Sequence, residues 1–317
     1  MAKKLWIRAL ATTALLAVLA GTAACAAKPK YHFTPKAGPL NVVVSIPVWA
    51  NIIEQIGGRY VVVKSVIHTS MQDPHSYSAS ARDQLLVNQA DITLANGLGY
   101  DDFFSALAKA SPNLDERLML HASCEAECAD QSKNGASRST ILTGNPHLWF
   151  HLVSTEGTVK HTAAALESAL NTTDGKAAIR VGEQRMLAQI SELQKIERAS
   201  RATTKGKSAL LTEGFAAYLV RDLGMKNVTP QSFRNAVENE ADAAPSVMNQ
   251  LRKQILGHRV SVVISNRLTR TAQTDQLVAW AKQAGVPVLN LTESLPHGQN
   301  YNYWMTSNIK RIASAVK

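Results

Sequence analysis

The 317-residue sequence has little cysteine, few aromatic residues and no histidine-rich tract. Three cysteines are too few for a small disulfide-dense domain. The motifs HExxH and GxxxxGK[ST] are absent, and "NGLGYDD" does not match GxGxxG, so no motif indicates a zinc protease, a P-loop hydrolase or a dinucleotide-dependent enzyme. Beyond the N-terminus, no apolar run is long enough to cross a bilayer.

The basic residues are numerous but scattered. The formal net charge is +10, and removal of Lys3, Lys4 and Arg8 with the N-terminal segment would leave +7. No clustered basic arm and no basic-aromatic motif is present. Nucleic acid is therefore not an expected partner.

The N-terminus has the layout of a secretory signal, with a basic start, the apolar run "ALATTALLAVLAG" and small residues before Cys25. Residues 1–24 are predicted to be a signal peptide, and Cys25 to be the lipidated first residue of an extracytoplasmic protein. Thr22 departs from the aliphatic residue usual in lipoprotein signals, which leaves ordinary secretion as the alternative. Residues 25–39, rich in proline, lysine and alanine, are predicted to be a tether to the membrane.

The other two cysteines, Cys124 and Cys128, have three residues between them in a polar stretch. Outside the cytosol, two nearby cysteines usually pair, so we expect a local disulfide. A metal site containing both cysteines is the alternative, although no second Cys or His pair has zinc-finger spacing.

Strand-like and helix-like runs alternate twice along the chain, which predicts an α/β fold with mainly parallel sheets. The strand-like runs are "NVVVSI", "YVVVKSVI", "DITLAN", "SALLTE", "RVSVVISN" and "VPVLNL". We expect two lobes, each a sheet flanked by helices, over residues 40–172 and 205–317. A nearly proline-free segment over 173–204 predicts one long connecting helix between them.

Four side chains are candidate metal ligands. His75 and His147 both follow proline, in "DPHSY" and "NPHLW", and a Pro-His turn can aim one imidazole. Glu213 and Glu293 lie just after predicted strands. Two neutral imidazoles and two carboxylates carry a charge of minus two, which a divalent cation neutralises, and mixed nitrogen and oxygen ligands suit Zn²⁺, Mn²⁺ or Fe²⁺.

Each candidate also has a simpler interpretation. A single Pro-His turn is a weak signal, and an acid after a strand is commonly a helix cap or first-turn residue. His151 and His68 lie near the two turns and are predicted to support the ligands or to replace one of them. Four other histidines, at 121, 161, 258 and 297, are expected at the surface or at helix ends.

The chain resembles the substrate-binding lipoproteins of bacterial zinc and manganese ABC transporters. The resemblance covers nearly all of the mature chain, through "DPHSYSAS", "NGLGYDDF", "NPHLWF", "LLTEGFAAYLVRDLG" and "VPVLNLTESLPHGQNYNYWM". It implies one metal ion between two lobes, held by His75, His147, Glu213 and Glu293. Glu213 stands where zinc-type members often have a histidine and manganese-type members a glutamate, and Glu293 where an aspartate is common.

The predicted function is therefore capture of one divalent transition metal as cargo, without catalysis, and delivery to the membrane permease of an ABC transporter. The position of Glu213 and the missing histidine-rich loop favour Mn²⁺ slightly, whereas intrinsic affinity favours Zn²⁺. A monomer is expected. A secreted metallohydrolase is an alternative that would need an open coordination position and a general base. An additional adhesin role is a further alternative.

Overall fold

A computed structural model of the protein describes residues 33–69, 72, 74, 76–111, 118–122, 145–266 and 270–317. Several predicted features lie outside these residues. They are the signal peptide over 1–24, the lipidation site Cys25, the candidate ligand His75, and the Cys124 and Cys128 pair.

Within the described residues, the strands form two four-stranded sheets in which every pair is parallel. The first sheet contains β1 (Leu40–Val44), β2 (Val61–Ser65), β3 (Ile92–Ala95) and β4 (Leu118–His121). The second contains β5 (Ser208–Leu211), β6 (Lys226–Asn227), β7 (Val262–Asn266) and β8 (Val288–Leu291). The strand orders, β2-β1-β3-β4 and β6-β5-β7-β8, show that both lobes have the same topology.

Helices flank both sheets. Those of the first lobe are α1 (Pro47–Gly57), α2 (Ala81–Asn88), α3 (Asp102–Lys109) and α4 (Leu152–Ala169), and α5 (Thr173–Thr204) follows them. Those of the second lobe are α6 (Ala217–Asp222), α7 (Gln231–Glu238), α8 (Pro245–Leu256), α9 (Ala272–Gln283) and α10 (Tyr301–Ala315).

Local sequence explains where several helices begin. Pro47 occupies the first turn of α1, where its missing N–H costs no hydrogen bond. Ser80 caps α2 by accepting from Asp83 N, and the Asp83 carboxylate accepts from Ser80 N in return. The Thr172 hydroxyl accepts from Gly175 N at the start of α5.

The interior strands β3 and β7 are buried at every residue, which fits their content of β-branched residues. Val42 on β1 pairs with Val63 on β2 and with Ile92 on β3. In the second lobe, Ile264 on β7 pairs with Leu289 on β8. On the interior strand β1, the neighbouring residues Val42 and Val43 belong to two different hydrophobic clusters, as expected for side chains on opposite faces of a sheet.

The 32-residue helix α5 joins the lobes and is about 48 Å long at 1.5 Å per residue. It packs against α1, α4 and α10. Its buried residues recur every three or four positions, in a stripe that includes Ile179, Gly182, Met186, Ile190 and Leu193. The predicted architecture, two parallel-sheet lobes joined by a long helix, is confirmed.

Three elements were not predicted: β4, β6 and α7. The last residue of β4 is His121, whereas this histidine was expected from the sequence to lie at the surface or at a helix end. Residues 33–39, the described end of the predicted tether, lie along the first lobe, where Lys36 N donates to Ala169 O. Among the described residues, no helix combines the length and the apolar character that crossing a membrane requires.

Candidate metal centre

The carboxyl ends of the parallel strands meet at the cleft between the lobes. In each sheet the second strand lies on one side of the first strand and the third strand lies on its other side. Where the strand order reverses in this way, a crevice forms at the carboxyl ends of the strands. Glu213 follows β5, Asn266 ends β7 and Glu293 follows β8. From the first lobe, Tyr100 follows β3, and His147 precedes the short turn Leu148–Phe150.

Three of the four candidate ligands converge. His147, Glu213 and Glu293 each offer one ligand atom, and these atoms all lie within 4.8 Å of one another. The side chains are almost inaccessible, with residue exposures of 0%, 3% and 4%. His147 Nε2 lies 3.1 Å from Glu293 Oε1. The cluster therefore joins a nitrogen of the first lobe to two carboxylates of the second.

The His147 ring is oriented by its neighbour Asn145. The Asn145 Oδ1 atom lies 2.7 Å from His147 Nδ1 and also accepts from His147 N at 3.0 Å. Since an amide oxygen only accepts, His147 carries a proton on Nδ1, and Nε2, which faces Glu293, is the nitrogen available to a metal ion. Asn145 Nδ2 in turn donates to Gly214 O at 2.8 Å, which ties this turn to the residue after Glu213.

One amide holds both carboxylates. Asn266 Nδ2 donates to Glu213 Oε2 at 2.6 Å and to Glu293 Oε2 at 3.0 Å. Glu293 Oε1 also accepts from the Tyr100 hydroxyl at 2.5 Å. Two carboxylates held this close in a buried place repel each other, and a cation between them and His147 removes that cost.

The donor set fits a divalent transition metal. One imidazole nitrogen and two carboxylate oxygens suit Zn²⁺, Mn²⁺ or Fe²⁺ and are a poor match for metals that prefer thiolates. His75, the fourth predicted ligand, lies outside the described residues, so its place in this set stays a prediction.

His151 and His68, the predicted supporting or alternative ligands, are not part of the three-residue cluster among the described residues. His151 stacks on the Tyr218 ring, with centroids 4.8 Å apart, and its Nδ1 lies 2.5 Å from Ser154 Oγ. The Tyr218 hydroxyl donates to Asn145 O at 2.9 Å, so His151 is connected to the site indirectly, through Tyr218 and Asn145. His68 Nδ1 donates to Val66 O at 3.1 Å, and His68 is not part of the cluster among the described residues.

Sequence reasoning missed Asn145, Asn266 and Tyr100. Asn145 belongs to the "NPH" turn and Asn266 ends the predicted strand "RVSVVISN". Both residues therefore lie in stretches that had already been singled out from the sequence. Their amide bonds to the ligands depend on the tertiary fold. Tyr100 lies in "NGLGYDDF", where no spacing rule connects it to Glu293.

The turn before Tyr100 is held in an uncommon conformation. Gly97, Leu98 and Gly99 all have positive φ angles, which glycine adopts without strain. Asp101 closes the turn by accepting from Asn96 N at 2.5 Å and Gly97 N at 2.9 Å. Burial raises the pKa of Asp101, and these hydrogen bonds act in the opposite direction.

Comparison with known proteins gives a consistent result. The family described as "Zinc-uptake complex component A periplasmic" matches residues 42–315. The metal ABC transporter substrate-binding lipoprotein SloC of Streptococcus mutans is 23% identical, with 99% of each chain covered. The manganese ABC transporter substrate-binding lipoprotein PsaA of Streptococcus pneumoniae is 21% identical over 87% of this chain and 89% of its own.

A solved structure supports the same fold. The periplasmic zinc-binding protein TroA of Treponema pallidum superimposes with a TM-score of 0.71 at 20% identity. The match covers 88% of this chain and 99% of TroA. At this identity the similarity shows the fold alone, with its two lobes and long helix.

Proposed function

This chain belongs to the family of periplasmic A components of zinc-uptake complexes, and from that premise we propose that His75, His147, Glu213 and Glu293 capture its cargo ion. As a family member it is a metal-binding substrate-binding protein of an ABC transporter and not an enzyme. The secreted metallohydrolase considered from the sequence is therefore not favoured.

One observation carries the proposal. Ligand atoms of His147, Glu213 and Glu293 come together within 4.8 Å although the residues are far apart in sequence. All three are buried, and placing two carboxylates beside each other in a buried site is costly, a cost that a cation offsets. His75 completes the set as a fourth ligand from the first lobe, on the strength of its matching Pro-His turn.

We propose Mn²⁺ as the cargo in the cell. Two carboxylates make the site harder than one built mainly from imidazole, which suits Mn²⁺, although Zn²⁺ binds more tightly to most nitrogen and oxygen sites. Among the relatives, PsaA is named for manganese and TroA for zinc. The family thus includes both kinds of ion, and the ligands of this chain decide between them.

The ion is handed to a membrane permease, the partner implied by an ABC transporter. The protein works outside the cytoplasm, attached to the membrane by lipid on Cys25. The names of SloC and PsaA as lipoproteins support this location, together with the signal-like segment that precedes Cys25.

Calorimetric titration of the metal-free protein tests the ligand set. Substitution of His147→Ala or Glu213→Ala should weaken binding of Mn²⁺ and Zn²⁺ by about 100-fold or more, because each removes a direct ligand. The control His258→Ala changes an exposed histidine and should leave binding unchanged. Equal effects of all three substitutions would remove the assignment, and competition between the two ions in the wild type would test the choice of Mn²⁺.

A further inference from the structure

Tyr100 is a buried residue of the first lobe that reaches a carboxylate of the second. Its hydroxyl donates to Glu293 Oε1 at 2.5 Å, across 193 residues of sequence. The ring packs edge-on against His147 and Trp149, with centroid separations of 5.5 and 5.0 Å. Because the ring is enclosed, the hydroxyl has a fixed position and points at one oxygen of Glu293.

Glu293 is held at three further points. Its Oε2 accepts from Asn266 Nδ2 at 3.0 Å, and its main-chain oxygen accepts from Trp149 Nε1 at 3.0 Å. Glu293 Oε1 also lies 3.1 Å from His147 Nε2. The oxygen bound by Tyr100 is therefore the one turned towards the imidazole, where an ion shared with His147 would lie.

We propose that Tyr100 is a positioning residue for metal capture, which holds Glu293 Oε1 in its binding orientation from the opposite lobe. This inference rests on the proposed function, since it takes Glu293 as a ligand. A glutamate has two side-chain torsions before its carboxylate, so an unsupported Glu293 would lose orientational freedom on binding the ion. The Tyr100 hydroxyl removes part of that cost beforehand, and bonds of this kind to ligands change affinity by about 10–100-fold.

The test is a double-mutant cycle on metal affinity, measured by chelator-buffered titration with Mn²⁺ and with Zn²⁺. Tyr100→Phe keeps the ring and its packing but removes the hydroxyl, and should weaken binding by about tenfold or more. In a Glu293→Ala background the same substitution should have little further effect, because the hydrogen bond to Glu293 through which the hydroxyl is proposed to act is gone. A loss of affinity through general loosening of the fold would persist in both backgrounds.

The matched control is Tyr301→Phe. Tyr301 is equally buried and its hydroxyl donates to Trp149 O at 2.6 Å, without a bond to either carboxylate. It should change metal affinity by less than about twofold while lowering thermal stability about as much as Tyr100→Phe does. Thermal unfolding without metal, measured on every variant, separates the two effects.

The outcomes separate this inference from the proposed function. If Glu293→Ala weakens binding but Tyr100→Phe does not, the positioning role is wrong and the ligand set stands. If Tyr100→Phe weakens binding equally with and without Glu293, the hydroxyl acts elsewhere and the inference also fails. If Glu293→Ala leaves affinity unchanged while His147→Ala abolishes it, both the role of Glu293 and that of Tyr100 are overturned.

Discussion

Buried acids in this protein differ in what surrounds them. Glu213 and Glu293 each accept a hydrogen bond from Asn266 and face an imidazole. Glu197, on α5, is 7% exposed, and its Oε1 has no hydrogen-bond partner among the described residues. The first two belong to the cluster that is proposed to hold a cation, whereas Glu197 is a candidate for a carboxyl that stays protonated.

The pKa of Glu197 is raised to about 8, mainly by burial and further by the charge of Asp222. Arg201, Arg221 and Arg198 offset part of this increase. The folded state therefore binds a proton that the unfolded chain releases near its ordinary pKa of 4.5. The contribution to stability is complete below that ordinary value and is lost as pH rises towards and through about 8.

Substitution of Glu197→Gln should make the protein more stable near pH 8, by about 2–4 kcal/mol, and flatten the fall of unfolding free energy between about pH 5.5 and pH 8. Urea denaturation at both pH values measures this. Glu192→Gln on the same helix is the control, because the Glu192 side chain is 62% exposed. A wild-type stability that rises over this range, or an identical slope in Glu197→Gln, would contradict the assignment.

At the scale of elements, α5 lies unusually close to the end of α1. A methyl group built on Gly182 would lie 1.9 Å from Ile56 O and 2.7 Å from Ile56 C. These are main-chain atoms, so no side-chain rotation relieves the overlap. Glycine costs about 1 kcal/mol in a helix interior, and here the close approach of the two helices outweighs that cost.

Gly182→Ala should therefore destabilise the protein, by about 2–4 kcal/mol, although alanine is the better helix former. Denaturant unfolding measures the change. Gly38→Ala is the control, because Gly38 is exposed and a methyl group there would have nothing within 4 Å. A Gly182→Ala protein as stable as the wild type would mean that α5 and α1 separate easily.

The elements that the sequence predicted well are those with a strong local signal. The apolar runs of β1, β3 and β7 are buried strands, and the long segment without proline is α5. The missed elements carry weaker patterns. β6 has only two residues, and α7 contains a single buried side chain, Phe233. Their positions depend on packing against neighbours rather than on local periodicity.

The residues of the candidate site also differ in whether the sequence could predict them. His147, Glu213 and Glu293 were predictable because a Pro-His turn and acids after parallel strands occupy positions that topology brings to one edge. Asn266 donates to Glu213 at 2.6 Å within the second lobe, and Tyr100 donates to Glu293 at 2.5 Å from the first lobe. Both contacts depend on the tertiary fold. Sequence periodicity contains no information on which hydroxyl reaches which carboxylate across a cleft.

At the scale of the whole molecule, the two lobes are joined by more than α5. Tyr100 bonds Glu293, Asn145 Nδ2 bonds Gly214 O, and the Tyr218 hydroxyl bonds Asn145 O. All these bonds surround the three converged ligand atoms and none of them uses an ion. A bound ion would add a further connection between residues of the first and second lobes, at the place where they already meet.

Metal binding should therefore raise the melting temperature of the whole protein. An ion that binds only the folded state stabilises it by RT ln(1 + [L]/Kd), about 2.7 kcal/mol at 100 times Kd, which corresponds to a shift of roughly 4 °C for a chain of this size. Differential scanning calorimetry with and without Mn²⁺ or Zn²⁺ measures the shift. If the ion is shared between the lobes as proposed, His147→Ala in the first and Glu213→Ala in the second should each abolish most of the shift, whereas His258→Ala should retain it. A shift that survives loss of either ligand would place the ion elsewhere, and no shift with either metal would contradict cargo binding.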